Sequence, residues 1–391
     1  MNIGVFFGGK NTEHDVSIIT GQLIISGLKE LGYNPVPIYI AKNGSWFSDP
    51  KMDSIDFFKN IDPKQDLNEA KSLKLSLTEA TSNGVEFKTK GIFSKTINID
   101  IAFPALHGKN GEDGTIQGLF ELLNIPYIGC DVTASAITMD KGLTKLIYQR
   151  FNMPTANFIH FQKEDYLANT KKILYEINKN LPWPMIVKPA NLGSSIGISK
   201  ASNDQELINA IEVALHYDYK VIVEESIEDL MDLTVCVIGN AEPRASLIQE
   251  SAFSKDLFTY EDKYINDGGA QLGNALKKLI IPATLDKKTT EEIQNMAVEA
   301  YKVIGCSGIA RVDFLYSKTF KKYYINEINP MPGTIYHHLW KKSGIELVDL
   351  LRMLIIFAQE KHDRKNKITY TFDSSILQQS NSNKMKLKGI E

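Results

Sequence analysis

The chain has 391 residues, 43% of them hydrophobic and 23% charged, with a formal net charge of −3 at pH 7. That length exceeds what one core usually organises and predicts two or three domains, while the mixed, near-neutral charge offers no large positive field and argues against a nucleic-acid partner. The three cysteines (Cys130, Cys236, Cys306) stand far apart without CxxC spacing, which fits neither a disulfide framework nor a zinc site and points to a reducing cytoplasm.

Strand and helix signals alternate along the chain, as in α/β construction. Ile3–Phe7 reads as a buried strand running into Gly8-Gly9. No basic leader precedes it and no apolar stretch of ~18 residues follows, so no membrane association is expected. After Asn11-Thr12, a plausible cap, the apolar positions Val16, Ile19, Leu23, Ile24, Leu28 and Leu31 recur at helical spacing until Gly32. Pro35–Ile40 is a second strand, Asn43-Gly44 a tight turn, and 51–95 a polar stretch with only small elements. Ile99–Leu106 is a further strand ending in the glycine-dense loop His107 to Gly114, with a helix to about Leu123. Residues 1–140 therefore read as an open parallel sheet with ligand loops at its strand ends.

Near Asp140-Lys141 the texture changes. A helix from Leu143 to Phe151 precedes the strand Met185–Val187, then Lys188-Pro189 and the loop Asn191 to Ser195. Ser202-x-x-Gln205 resembles a capping box, and Tyr219–Val223 is a strand ending in Glu224-Glu225. Residues 141–226 read as a small separate lobe. In 227–365, Leu233–Ile238 and Ala245–Ile248 are strands, and the aperiodic segment 251–274 has the length of a lid. A helix through Ile293, Ala297 and Ile304 closes at Gly305, and Ile309–Tyr316 with Tyr323–Asn329 form a hairpin. The polar segment 366–391 is a peripheral tail.

The hairpin carries the strongest chemical signal. Side chains alternate faces along a strand, so Arg311 shares a face with Asp313, and Glu327 with Asn329. Pairing the strands can gather two carboxylates, an amide oxygen and a guanidinium, the hard oxygen donors that magnesium prefers beside substrate phosphates. On spacing alone, a solvent-facing hairpin with cross-strand ion pairs is the commoner outcome. Lys188 before a Gly-Ser-Ser loop can serve as a phosphate counter-charge, although a plain surface turn is again commoner. No Walker A pattern is present. Lys141 more often solvates a surface, His107 more often packs a loop, and Glu224-Glu225 can face a base and ribose or be loop carboxylates.

In order along residues 1 to about 360, these segments resemble the D-alanine–D-alanine ligases, a branch of the ATP-grasp superfamily. The resemblance rests on Phe7-Gly8-Gly9-Lys10 with Glu13-His14-Asp15-Val16-Ser17, His107-Gly108 through Gln117-Gly118, and Met139-Asp140-Lys141. It continues through Ile186-Val187-Lys188-Pro189, Gly193-Ser194-Ser195, Tyr260-Glu261-Asp262-Lys263-Tyr264, Ala310-Arg311-Val312-Asp313 and Asn326-Glu327-Ile328-Asn329. It implies a two-lobed ATP-grasp fold, α+β in its lobes, behind the N-terminal α/β domain. It also implies ATP-dependent joining of two D-alanines through an acyl phosphate, for peptidoglycan precursors, in a cytoplasmic enzyme that can be a homodimer.

Residue by residue, the resemblance implies that Lys141 and Lys188 hold ATP phosphates under the Ser194-Ser195 loop, with Lys263 of the lid also at the nucleotide. Glu224, Glu225 and Ile227 would meet adenine, and Asp232 the ribose. Asp313, Glu327 and Asn329 would bind two magnesium ions, with manganese as a substitute. Glu13 would orient the first D-alanine's amine in a trio with Ser194 and Tyr264, beside His107, and Arg311 with the Gly333 N–H would form the oxyanion site. The pattern departs at Pro330 to Trp340, where His338 occupies, by count, the place of a serine that holds the second substrate's carboxylate, and at Met231-Asp232, where Arg-Glu is usual. An imidazole of ordinary pKa at that place would make the second substrate's Michaelis constant rise between about pH 6 and 8. The alternative is therefore a related ligase with another acceptor, such as D-serine or D-lactate; Lys263-Tyr264 resembles the dipeptide-forming enzymes and argues against D-lactate.

Overall fold

The computed structural model describes residues 1–60, 73–75, 85–89, 96–251 and 279–374. The chain opens with β1 (Asn2–Gly8), α1 (His14–Glu30), β2 (Asn34–Ile40), β3 (Trp46–Phe47) and α2 (Ile55–Lys59). β4 (Leu73–Leu75), β5 (Val85–Thr89) and β6 (Thr96–Ile99) make a small antiparallel sheet ahead of β7 (Ile101–Pro104) and α3 (Thr115–Leu122). The main N-terminal sheet has the order β3-β2-β1-β7, with β1 parallel to both neighbours. Ile3, Val5, Phe6 and Phe7 are fully buried, which is why β1 reads as a continuous apolar run and not an alternating one. Because β1 and β7 are parallel, the turn carrying Glu13 and the loop carrying His107 leave the same edge of the sheet.

Two local expectations are corrected here. The single strand over Ile99–Leu106 is two strands, broken where the Asp100 carboxylate accepts the Asn2 N–H at 2.7 Å in place of a ladder carbonyl. α1 is capped by Glu13 and not by Asn11-Thr12; Asn11 Oδ1 accepts the Glu13 N–H at 2.9 Å, and the Glu13 carboxylate takes no part in capping.

The middle of the chain runs α4 (Val132–Met139), α5 (Lys141–Arg150), β8 (Phe158–Gln162), α6 (Lys163–Ala168), α7 (Thr170–Asn180), β9 (Met185–Pro189), β10 (Ser199–Ala201), α8 (Asp204–Tyr217) and β11 (Lys220–Glu225). Its sheet, β10-β9-β11-β8, is antiparallel and packs Val187, Val221 and Val223 against Leu207 and Ile211 of α8. The cap of α8 lies one residue beyond the expected box: Asn203 Oδ1 accepts the Glu206 N–H and Glu206 accepts the Ser202 N–H. α5, read from sequence as part of the small lobe, sends Tyr148 into the core under the C-terminal sheet, beside Val235 and Val312. An amphipathic stripe says that a helix is covered but not by which neighbour.

The C-terminal unit comprises β12 (Leu230–Gly239), β13 (Arg244–Ser251), β14 (Leu279–Ile280), α9 (Lys287–Ile304), β15 (Gly308–Ser317), β16 (Lys322–Asn329), α10 (His337–Lys342) and α11 (Leu347–Asn366). The sheet order is β14-β13-β12-β15-β16, and α9 covers one face with Ile293, Ala297, Ala300 and Tyr301. Gly305 ends α9 in the left-handed conformation, as its position predicts. The largest core joins this unit to the first, placing Ile24 and Leu28 of α1 with Trp340, Leu351 and Leu354. Residues 252–274 of the expected lid and 375–391 of the expected tail lie outside the described residues. Among the described residues, no helix is long and apolar enough to cross a membrane.

α1 thus packs on β1 and on the C-terminal helices at once, and it does so closely. A Cβ added at Gly21 would lie 2.7 Å from Phe7 Cγ, and Phe7 is fully buried. Gly21→Ala is therefore expected to destabilise the protein by about 1–3 kcal/mol through overpacking, more than the ~1 kcal/mol gained in helix propensity. Urea melting checks this; an unchanged or raised midpoint would mean that α1 and β1 do not approach so closely.

Candidate active site

The hairpin gathers its polar side chains as the alternation predicts. Asp313 of β15 stands opposite Glu327 of β16, and Arg311 opposite Asn329. β12 and β13 prolong the first row, since Thr234 pairs with Asp313 on one side and with Gln249 on the other. Arg311 is 3% exposed and holds Asp313 with Nε at 2.9 Å from both carboxylate oxygens and Nη2 at 2.6 Å from Oδ2. Thr234 Oγ1 donates to Asp313 Oδ1 at 2.9 Å, and Arg311 Nη2 is 3.8 Å from Glu327 Oε1. Burial works against the guanidinium's charge, but Asp313, Tyr336 and Glu327 outweigh it, so Arg311 keeps its proton more firmly than in water. Its Nη1 has no partner among the described residues and remains available to an anion.

Asp313, Glu327 and Asn329 offer hard oxygens, and the charge chemistry fits a divalent cation. Among the described residues no group of three or more His, Cys, Asp or Glu side chains converges. Two carboxylates and an amide form an incomplete set, of the kind that magnesium completes with water and phosphate oxygens. Asn329 Oδ1 already accepts the Met331 N–H at 2.9 Å and retains a second lone pair.

The facing wall comes from the small lobe. Lys141 Nζ donates to Leu192 O at 2.8 Å and lies 3.4 Å from Glu327 Oε2, so it joins the glycine-serine loop to the carboxylates. Lys188 Nζ is 2.8 Å from Glu224 Oε2 and 3.4 Å from Asn326 Oδ1. Burial would raise the Glu224 pKa, but Lys145 and then Lys188 outweigh it and keep Glu224 ionised. Glu225 is spent differently, accepting the Asn157 N–H at 2.8 Å and its amide at 3.0 Å. Ile227 and Asp232 are half-buried, with Asp232 paired in register to Ser251.

Ser194 and Ser195 both have positive φ, 57° and 58°, a conformation of appreciable cost for residues other than glycine. The Ser194 hydroxyl donates to Glu13 Oε1, so the glycine-serine loop and the start of α1 meet at a buried carboxylate. A Cβ on Gly108, whose φ is +65°, would fall 2.4 Å from Glu13 Oε2; the His107 loop must present bare backbone there. Tyr264 and Lys263, the remaining expected members, lie outside the described residues.

His107 is buried in a relay. Its Nε2 is 2.8 Å from Thr20 Oγ1 and its Nδ1 is 3.3 Å from Glu112 Oε1, to which Asn329 Nδ2 donates at 3.5 Å. Thr20 Oγ1 also accepts the Thr334 N–H at 3.0 Å. Gly333 leads into Thr334, Ile335 and Tyr336, three successive residues with φ between 48° and 49°, all buried. Left-handed backbone at a β-branched residue such as Ile335 marks strain held by its surroundings.

Sequence reasoning missed Thr20, Glu112, Lys145, Thr234 and Gln249. Thr20 stands two helical turns after Glu13 and Lys145 one turn after Lys141, a spacing that could have flagged both. Thr234 and Gln249 depend on strand register, for which no local signal exists.

His338 differs from expectation in its charge. Nε2 lies 2.8 Å from Gln249 Oε1, the ring lies tilted against Tyr336 with centroids 4.8 Å apart, and Nδ1 has no partner among the described residues. Burial, then the neighbouring His337, push its pKa down to about 4, so its charge is constant between pH 6 and 8 and the expected rise of a Michaelis constant there is withdrawn. The effect moves to stability. Between pH 6.5 and about 4 the unfolded chain binds a proton that the folded chain refuses, so stability falls as pH drops through that window. His338→Gln is expected to remove a loss on the order of 3 kcal/mol from that acid limb. Urea midpoints at pH 7, 5.5 and 4.5 check it; parallel acid limbs in both proteins would contradict it.

Comparison with known proteins gives one family. A model described as the D-ala D-ala ligase N-terminus matches residues 2–130, and one described as the D-ala D-ala ligase C-terminus matches 147–356. The D-alanine–D-alanine ligase of Acetivibrio thermocellus is 37% identical over 92% of this chain and 96% of its own length. That of Staphylococcus epidermidis is 38% identical over 95% and 99%. Among solved structures, the D-alanine–D-alanine ligase from Coxiella burnetii has TM-score 0.75 at 28% identity, covering 94% of this chain and 97% of that one. The VanG D-Ala:D-Ser ligase from Enterococcus faecalis has TM-score 0.75 at 32% identity, covering 91% and 99%. With both halves matched by their models and relatives alike from end to end, the chain belongs to the D-alanine–D-alanine ligase family of the ATP-grasp fold.

Proposed function

We propose that this chain joins two D-alanines at the expense of ATP, giving D-alanyl-D-alanine for peptidoglycan precursors. The observation that carries the reading is the contact between Glu13 and Ser194, which sets a buried carboxylate on the glycine-serine loop that Lys141 joins to Glu327 beside Arg311. In this reading Glu13 holds the ammonium of the first D-alanine, near His107 and Tyr264. Lys141, Lys188 and the Ser194-Ser195 loop hold the triphosphate, the Glu224 to Ile227 edge meets adenine, and Asp232 meets the ribose. A carboxylate oxygen of the first D-alanine attacks the γ-phosphorus, and the bond to ADP breaks. The amine of the second D-alanine then attacks the acyl carbon, losing a proton, and inorganic phosphate leaves.

In this reading Arg311 and the Gly333 N–H take up charge on the acyl oxygen, supported by an Arg311 Nη1 that has no partner among the described residues. Asp313, Glu327 and Asn329 would hold two magnesium ions, or manganese, which neutralise charge on the phosphate oxygens. An acyl phosphate is wasted by water, which is the reason to expect Lys263 and Tyr264 on a closing lid. The family reading puts the enzyme in the cytoplasm, where it can be a homodimer.

A second reading keeps the first half of this chemistry and changes the acceptor to D-serine. It is favoured by the likeness to the D-Ala:D-Ser ligase and by His338 at the second-substrate place. Purified protein with ATP, magnesium and an equimolar mixture of D-alanine and D-serine separates the two. Phosphate release that requires D-alanine and a product of D-alanyl-D-alanine mass is expected. A mainly D-alanyl-D-serine product overturns the acceptor, and no D-alanine-dependent phosphate overturns the whole reading.

The metal assignment has its own test. Glu327→Gln keeps size and removes a charge, so turnover is expected to fall by at least ~100-fold with little change in melting temperature. Activity within a few-fold of wild type would exclude Glu327 as a ligand.

A further inference from the structure

Lys145 is a buried charge that the proposed mechanism leaves unused. It lies on α5, one turn after Lys141, and only 1% of its side chain is exposed, so it cannot present itself to a ligand as Lys188 can. Its Nζ is 3.4 Å from Glu224 Oε1 and donates to Thr155 Oγ1 at 3.1 Å. Thr155 Oγ1 in turn donates to Ile325 O at 3.1 Å, on the strand that carries Glu327. The opposite oxygen of Glu224 is held by Lys188 at 2.8 Å. One carboxylate, itself 1% exposed, is therefore shared by two lysines.

The sharing has a chemical consequence. Lys188 is the cation that a triphosphate would recruit, and recruiting it loosens its bond to Glu224. Without a second cation, a buried carboxylate that lost Lys188 would be heavily penalised, and that penalty would be charged against nucleotide affinity. We propose that Lys145 is a positioning residue of the nucleotide site: it keeps Glu224 neutralised so that Lys188 can turn from that carboxylate to a phosphate oxygen. Burial depresses the Lys145 pKa and Glu224 opposes the depression, so each ion of the pair depends on the other. The anchoring through Thr155 to β16 holds Nζ on Glu224 while Lys188 moves.

The inference rests on reading the cleft as an ATP site, and direct binding separates the two. ATP with magnesium, titrated calorimetrically without D-alanine, must bind the wild-type chain; if it does not, the ATP reading itself fails. Given that binding, Lys145→Met is expected to raise the ATP Kd and KM by at least ~10-fold while kcat and the D-alanine KM move less than about 3-fold, the pattern of lost ground-state binding. In a Glu224→Gln background the same substitution is expected to change the Kd by less than about 3-fold, because the charge it answers is gone. A Kd within 2-fold of wild type, or an equal loss in both backgrounds, overturns the proposal and leaves Lys145 as a staple between α5 and β11. If Lys145→Met does not fold, Thr155→Val reads the same quantity by freeing Nζ: a raised ATP KM at unchanged kcat supports the proposal, and an unchanged KM overturns it.

Discussion

Arg311 grips Asp313 through Nε and Nη2 on the face that also carries Glu327, and much of the site's geometry follows from that pairing. A guanidinium that is 3% exposed cannot be left without counter-charge, and an aspartate beside it cannot turn away. The pair therefore fixes one end of the polar row, and Thr234 and Gln249 extend it across β12 and β13 to His338. The one guanidinium nitrogen left over, Nη1, is the part that substrate chemistry can use.

The rest of the protein holds other groups against that row. α1 brings Glu13 and Thr20 from the N-terminal unit, and Thr20 binds both His107 and the strained Thr334 backbone. The left-handed run from Thr334 to Tyr336 is held by the core shared by α1 and the C-terminal helices, in which Ile335 and Tyr336 are buried. From the other side the small lobe delivers Lys141, Lys188 and Ser194. Each of these touches a carboxylate: Lys141 touches Glu327, Lys188 touches Glu224 and Ser194 touches Glu13. On the proposed reading a nucleotide would compete for these cations and hydroxyls and a metal for the carboxylates they neutralise, so binding would exchange partners between them.

What could be read from sequence was what local periodicity controls. The period of two put Arg311 with Asp313 in β15 and Glu327 with Asn329 in β16, and the strand register brings the two pairs together. Periodicity did not show which neighbour α5 covers, nor that Asp100 would divide a strand, because both depend on tertiary partners. The charge of His338 was misjudged for the same reason. An ordinary imidazole was assumed, and only the fold shows that desolvation keeps it neutral. Glu225 resembled Glu224 in sequence, yet β11 turns one carboxylate inward to two lysines and the other to the Asn157 backbone. The order of motifs along the chain, more than any one of them, identified the family before the geometry was known.

The central claim is that the cleft activates a carboxylate by phosphorylating it under Arg311, and not by forming an adenylate. Labelling D-alanine with oxygen-18 in its carboxylate tests this directly. An acyl phosphate transfers one carboxylate oxygen to the phosphate that leaves, so the inorganic phosphate released with each dipeptide should carry a single heavy atom. Unlabelled phosphate, or label recovered in AMP, would contradict the account.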